Sequence, residues 1–303
     1  MKTVKLPAGR YIVAVSGGVD SMALLDMLRR QPDLELIAVH VNHGMRPDSG
    51  EDEKLVDTYS MSHNIKLVKA HLHLEANTSE ATSRTARYSF LRLCRKKYNA
   101  KAIVTAHHQD DLIETAIINI LRGTGWRGLA PFVDSADILR PLVEHTKNEL
   151  TAYAKRHNVP WREDPTNVNQ AYLRNYVRHR LVPRAEKNDR EFKTKFLQLI
   201  RKQQILRRTI TDEMELWHKR HVVTEKNRAL ISRYQLIMLP RPLAYELLQE
   251  LLRKHCGNTL QRPLVERVLL FAKVARPGKV MPIGSTWQFR VDARTLIVEP
   301  SSA

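Results

Sequence analysis

A chain of 303 residues with 43% hydrophobic content can bury a full core and is expected to form two domains, which excludes a disordered tail or a small disulfide-stapled scaffold. Fifty Lys and Arg against 32 Asp and Glu leave a formal charge of +18, a balance suited to a polyanionic partner, nucleic acid above all, with a plain solubility surface as the alternative. The two cysteines, Cys94 and Cys256, form no C-x-x-C, and no apolar run approaches the roughly 20 residues of a membrane span, so a zinc ribbon, an iron–sulfur site and a membrane anchor are all set aside.

Residues 11–15 are a β-branched strand and 21–30 a helix with Met22, Leu25 and Leu28 on one side. Residues 36–41 form an unbroken apolar strand, as expected where both faces are covered. A helix over 50–64 opens with the acidic "GEDE", which suits a helix N-terminus. Then come a strand over 66–71, a long basic helix over 79–97, a strand over 102–106 and a helix over 110–121 that ends at Gly123 and Gly125. This alternation predicts an α/β fold with a doubly wound parallel sheet. After Arg140 the rhythm changes. A helix over 147–157, the loop "VPWREDPTN", and a basic helix "LRNYVRHRLVPR" stopped by Pro183 lead into one long helical pattern over 193–221. The tail reads as two more helices and a strand pair, "KVMPIG" and "TLIVEP", a small α+β domain. The expected division is a nucleotide-binding catalytic domain over 1–188 and a basic helical linker with a small α+β nucleic-acid-binding domain over 189–303.

The most informative stretch is "SGGVDS", residues 16–21, between the first strand and the first helix. Gly17 and Gly18 permit positive φ and a close ligand approach. Their N–H groups, with those of Val19 and the helix's first turn, can converge on phosphate oxygens, and Ser16 and Ser21 add hydroxyls. Asp20 would repel a phosphate unless a cation lies between them, so Mg²⁺ bridging Asp20 to a pyrophosphate is one reading and helix capping is the other. The loop is neither a Walker A nor a dinucleotide fingerprint.

"SGGVDS" resembles the signature of the PP-loop ATP pyrophosphatases. In order after it come "HVNHGMR" (40–46), "TAHHQDDLIET" (105–115), "LRGTGWRGL" (121–129), "RPL" (140–142), "WREDPTN" (161–167) and "RNYVRHRLVP" (174–183). Over residues 10–185 this series is similar to the tRNA(Ile)-lysidine synthetase family. The resemblance implies ATP and Mg²⁺ as cofactors and an isoleucine tRNA with a CAU anticodon and free L-lysine as partners, and admits a homodimer; the cytoplasmic setting is expected from the want of an apolar span or signal-peptide run. It also implies a reaction: ATP adenylates C2 of the wobble cytidine, lysine displaces AMP, and lysidine forms with AMP and pyrophosphate as by-products.

Asp111 and Glu114 are three apart on one helix face, an arrangement for a cationic ligand; the stretch also admits metal binding by His107, His108 and the two aspartates Asp110 and Asp111, or plain capping by Asp110 or Asp111 with Glu114 a solvated charge. The resemblance implies lysine binding, and a positioning role for His107. Arg122 lies about three turns beyond Asp111 and could hold pyrophosphate or steady adenylyl transfer, or merely meet the helix carbonyls. Arg87 matches a family arginine that contacts the nucleotide. Arg174 and Arg178 share a face, for ATP or tRNA phosphate or as a basic surface, and Asp164 and Asn167 read as turn residues. Along 193–221 the cations lie on all faces, which suits phosphate positioning more than base readout. Three other readings stand beside this one. A PP-loop cytidine thiolase needs cysteine ligands or a cysteine pair, and Cys94 with Cys256 supplies no C-x-x-C; a small-molecule ligase has no use for +18, and a non-enzymatic RNA-binding protein has none for Asp20, Asp111 and Glu114 together.

Overall fold

The computed structural model describes residues 2–42, 49–72, 80–133, 137–163, 173–256 and 261–301. The chain divides into two units, Met1–Arg207 and Arg208–Ala303. The first holds five parallel strands, β1 (Gly9–Ala14), β2 (Leu34–Asn42), β3 (Lys66–His71), β4 (Ala102–Val104) and β5 (Ile138–Leu139), in the order β3-β2-β1-β4-β5. Between them run α1 (Val19–Arg29), α2 (Ser49–Ser62), α3 (Glu80–Lys97) and α4 (Gln109–Leu121), and after β5 comes α5 (Lys147–Arg156). The sheet is doubly wound, as its sequence pattern predicts.

The alternation of side chains along β1 builds both layers. Tyr11, Val13 and Val15 face one core with Met22 and Leu25 of α1, Val56 of α2 and Leu150 of α5. Ile12 faces the other with Tyr88 and Leu91 of α3. Both faces being covered explains why β1 and β2 show no polar alternation. From β1 the chain winds outward through β2 and β3, then returns to place β4 on the opposite side of β1. The switch point therefore lies between the carboxyl ends of β1 and β4, where open α/β sheets bind ligands.

Asp26 of α1 locks this layer together. Its side chain is buried, and it accepts Arg30 Nε at 2.8 Å, Tyr59 Oη of α2 at 2.6 Å and Tyr153 Oη of α5 at 2.6 Å, with Arg29 Nε at 2.8 Å. Burial alone would raise its pKa, but these donors win and hold the carboxyl down to about 2, against 3.8 ordinarily. That difference is about 2 kcal/mol of stability. Because the folded pKa is the lower one, the contribution is complete above about pH 4 and drains away as pH falls through 2. Asp26→Asn should accordingly lose about 2 kcal/mol in urea unfolding at pH 7, with a smaller deficit at pH 3.

Beyond α5 the chain departs from expectation in one place. Pro183 does not stop the basic helix. Helix α6 (Leu173–Tyr176) passes into a π turn, Val177–Leu181, and on through α7 (Val182–Asn188). The turn's wide register carries the Val182 N–H to the Val177 carbonyl, and Pro183, which has no N–H to offer, falls in the first turn of α7 where none is needed. Helix α8 (Phe192–His221) matches the long pattern read from sequence.

The second unit contains more strand than its sequence announces. Besides β8 (Val280–Ile283) and β10 (Thr295–Pro300) it holds β6 (Val222–Glu225), β7 (Arg228–Ser232) and β9 (Trp287–Val291), in an antiparallel sheet ordered β6-β7-β10-β9-β8. Helices α9 (Arg233–Ile237), α10 (Arg241–Cys256) and α11 (Arg262–Val274) complete it, with Leu248 and Leu252 of α10 and Val265 and Val268 of α11 packed on Phe289, Val291 and Leu296. No helix among the described residues is long and apolar enough to cross a membrane.

Candidate active site

The glycine loop leaves β1 at the switch point. Ser21 closes it from within. Its hydroxyl donates to the Gly18 carbonyl at 2.9 Å and accepts the Ser16 N–H at 3.1 Å. Two outside groups fix its shape: His40 at the end of β2 donates from Nδ1 to the Val15 carbonyl at 2.9 Å, and the Arg162 N–H donates to the Gly17 carbonyl at 3.0 Å. The two glycines do different work. Gly17 sits at φ +92°, and a Cβ there would lie 3.3 Å from Asp52 Cβ. Gly18, expected to share that freedom, is extended at φ −75°, ψ 159°, with Ser16 Oγ 3.6 Å from a built Cβ as its nearest neighbour. Gly17→Ala should therefore cost about 1–2 kcal/mol in denaturant unfolding, whereas Gly18→Ala should leave stability within about 0.5 kcal/mol. Any loss of nucleotide affinity in Gly18→Ala then reports how closely the ligand approaches.

Asp20 does not cap α1; Gly18 holds that position without a side-chain bond. The Asp20 carboxylate turns instead across the switch point. Oδ2 accepts Lys147 Nζ of α5 at 2.7 Å and lies 3.7 Å from His108 Nε2, while Oδ1 is buried with no hydrogen-bond partner among the described residues. Lys147 also donates its N–H to Asp110 Oδ2 at 3.0 Å, and Lys193 Nζ lies 3.4 Å from Asp110 Oδ1. A web of alternating charge thus joins the loop after β1 to the first turn of α4.

That turn is organised by Asp111, whose Oδ2 accepts the His108 N–H at 2.9 Å. Burial opposes its ionisation, but His108, His107 and the backbone donor hold its pKa below the usual carboxylate range. Glu114 lies one turn on, only 3% exposed. It meets Arg178 as a fork, Nε to Oε1 at 2.6 Å and Nη2 to Oε2 at 2.9 Å, with Arg174 Nε 3.6 Å from Oε2. Burial nevertheless pushes the Glu114 pKa up. Arg178 belongs to the π turn, which packs through Val177 on Ile113, Ile117 and Ile118 of α4. The apolar stripe of α4 is thus what carries the guanidinium to the carboxylate.

The structure brings Ser16, Gly17, Gly18, Val19, Asp20 and Ser21 together in one loop, and faces them with Asp111. Asp111 and Glu114 meet Arg178, and Glu114 also meets Arg174. His107 follows β4, its Nδ1 2.8 Å from Thr105 Oγ1, and burial lowers its pKa. Arg87, on α3, acts electrostatically on that imidazole. Arg122 is not brought to the group. It is exposed at the C-cap of α4, about 16 Å of helical rise from Asp111. Asp164, Asn167 and residues 43–46 of "HVNHGMR" lie outside the described residues. Two site residues escape sequence reasoning, Lys147 and Arg162, because an isolated cation at a helix start or in a loop carries no pattern. The capping box Thr146–Glu149, which fixes where α5 begins, was the one available clue to Lys147.

Comparison with known proteins agrees with this geometry. A PP-loop domain model matches residues 2–185. A tRNA(Ile)-lysidine synthase of Thermotoga maritima is 33% identical over 236 residues, covering 74% of this chain and 57% of that protein. Another, from Exiguobacterium sibiricum, is 38% identical over 184 residues, 59% of this chain and 44% of that protein. The chain thus spans about half the length of these curated relatives. Among solved structures, a U34-tRNA thiolase from Methanococcus maripaludis superposes with a TM-score of 0.55 at 18% identity, covering 67% of this chain and 75% of that one, a likeness of fold. With its glycine loop at the β1–β4 switch point and the domain match across residues 2–185, the chain belongs to the PP-loop family.

Proposed function

We propose that this chain forms lysidine: it adenylates the wobble cytidine of a CAU-anticodon isoleucine tRNA and then joins L-lysine to C2 of that base. The observation that carries the reading is the meeting of two unlike halves at one switch point. One is a glycine and hydroxyl loop suited to pyrophosphate. The other is the start of α4, where Asp111 and Glu114 offer negative charge to an amine. The names of the relatives support the choice of substrate.

The cytosine O2 bonds to the α-phosphorus of ATP as the α–β anhydride bond breaks and pyrophosphate leaves into the glycine loop. The lysine ε-amino nitrogen then bonds to C2 and sheds a proton, and AMP departs with the former carbonyl oxygen. Lys147 and the loop N–H groups meet the charge on the phosphates, and Asp111, held ionised, orients the incoming amine. Mg²⁺ fits a single-carboxylate site rather than a protein cage: the buried Asp20 Oδ1 has no partner, and no cluster of three or more His, Cys, Asp or Glu ligands occurs among the described residues. When bound, the ion would neutralise charge between Asp20 and the pyrophosphate. We assign residues 1–188 to this chemistry and the basic segment 189–303 to tRNA contact, in a cytoplasmic enzyme.

The test is transfer of labelled L-lysine to an unmodified CAU-anticodon isoleucine tRNA transcript. ATP-dependent label accompanied by AMP is the expected result. ATP cleavage without label would overturn lysine as the nucleophile.

A further inference from the structure

One group of residues at the carboxyl ends of β4 and β5 has no part in the scheme above. Arg140 follows β5 directly, and Phe132 lies in the connection that leads to that strand. The Arg140 guanidinium carbon stands 5.0 Å from the Phe132 ring centroid, and the same ring meets the His107 imidazole at 4.8 Å. Phe132 has φ 57°, a left-handed conformation that costs a bulky residue about 1–2 kcal/mol. Strain of this kind persists where the surrounding fold fixes a side chain for use.

Arg140 is stranger than its shelf. Its Nε and Nη1 are buried and have no hydrogen-bond partner among the described residues. Asp137, three residues before it, is engaged by Arg92 Nε at 2.6 Å. Arg84 and Arg87 of α3 act with Arg140 on the His107 imidazole, each disfavouring its protonated form, and Asp111 is the acid that opposes them there. A guanidinium with idle buried donors weakens the ligand-free fold unless a ligand supplies the acceptors. Its planar fork matches two oxygens of one phosphate.

We propose that Arg140, seated on the Phe132 ring, anchors a phosphate-binding site at the β4–β5 end of the sheet, separate from the glycine loop. The phosphate belongs either to the nucleotide co-substrate or to the RNA backbone beside the reacting base. The inference rests on the proposed function for its choice of probes.

The experiment compares the full chain with its Arg140→Gln variant in three measurements: binding of a non-hydrolysable ATP analogue, binding of the CAU-anticodon isoleucine tRNA transcript, and melting of the ligand-free protein. Affinity for one probe should fall at least tenfold while the other changes less than twofold, and the probe that is lost identifies the source of the phosphate. The melting temperature should hold or rise, because two orphaned buried donors are removed. Unchanged binding of both probes overturns the inference alone, and so does loss of both with a lower melting temperature, which marks a structural residue. A wild-type chain that binds neither probe overturns the proposed function and this site together. Should Arg140→Gln fail to fold, Arg140→Lys keeps the charge without the fork and is expected to show the same selective loss at a smaller magnitude, equal binding again overturning the site.

Discussion

Asp20→Asn is expected to lower ATP-dependent turnover by about a hundredfold or more, the scale seen when one charge-stabilising group is removed from a reacting centre. The fold should hardly notice. Gly18, not Asp20, opens α1, and an asparagine Oδ1 can still accept from Lys147 where Asp20 Oδ2 does so at 2.7 Å. The buried Oδ1 of Asp20 has no hydrogen-bond partner among the described residues, so the native carboxylate already carries an unmet desolvation cost, and a neutral amide in its place carries a smaller one. Catalytic loss with unchanged melting temperature and unchanged tRNA affinity is thus the signature to look for. The decisive measurement is AMP release as a function of Mg²⁺ concentration, which should lose its dependence on the ion in the variant. Full turnover in Asp20→Asn would remove this carboxylate from the mechanism and leave Lys147 as the group that matters at that corner.

What the sequence made legible follows from how local each signal is. The first unit was readable because strands buried on both faces and amphipathic helices write their periods directly into 10–20 residues, and "SGGVDS" sits where those periods meet. The second unit was not, because β6 and β7 are short edge-side strands around a two-residue turn, with Lys226 rather than glycine at φ 45°. Pro183 misled for a related reason: a proline predicts a stop only if the preceding register is α-helical, and here it is π. In the site, the loop and the carboxylates of α4 were visible as motifs. Their partners were not, since Lys147 lies 127 residues from Asp20 and Arg178 lies 64 from Glu114. Cysteine arithmetic carried further than pattern. Two cysteines in the whole sequence are fewer than the four thiolates that a [4Fe–4S] cluster usually takes.

Glu114→Gln should raise the KM for lysine about tenfold while moving the KM for ATP less than twofold, and should also destabilise the chain by about 2 kcal/mol. The second effect comes from Arg178. Removing one partner of a buried pair costs about 3–5 kcal/mol, and the figure is discounted here because the arginine side chain is 34% exposed and partly solvated. The first effect requires that Glu114 serve a ligand while already holding a guanidinium. A carboxylate has about four acceptor sites. Arg178 fills two and Arg174 approaches a third, which leaves room for one further donor. Asp111 is the more open of the two acids, since Arg178 Nη2 comes no closer than 3.7 Å to its Oδ1. Asp111→Asn therefore supplies the control. It keeps an acceptor for the His108 N–H and leaves the Glu114–Arg178 fork intact, so it should raise the lysine KM with a much smaller loss of stability. If both variants moved the two KM values equally, in proportion to their loss of stability, Asp111 and Glu114 would be struts for the π turn and the amine would have to be sought elsewhere.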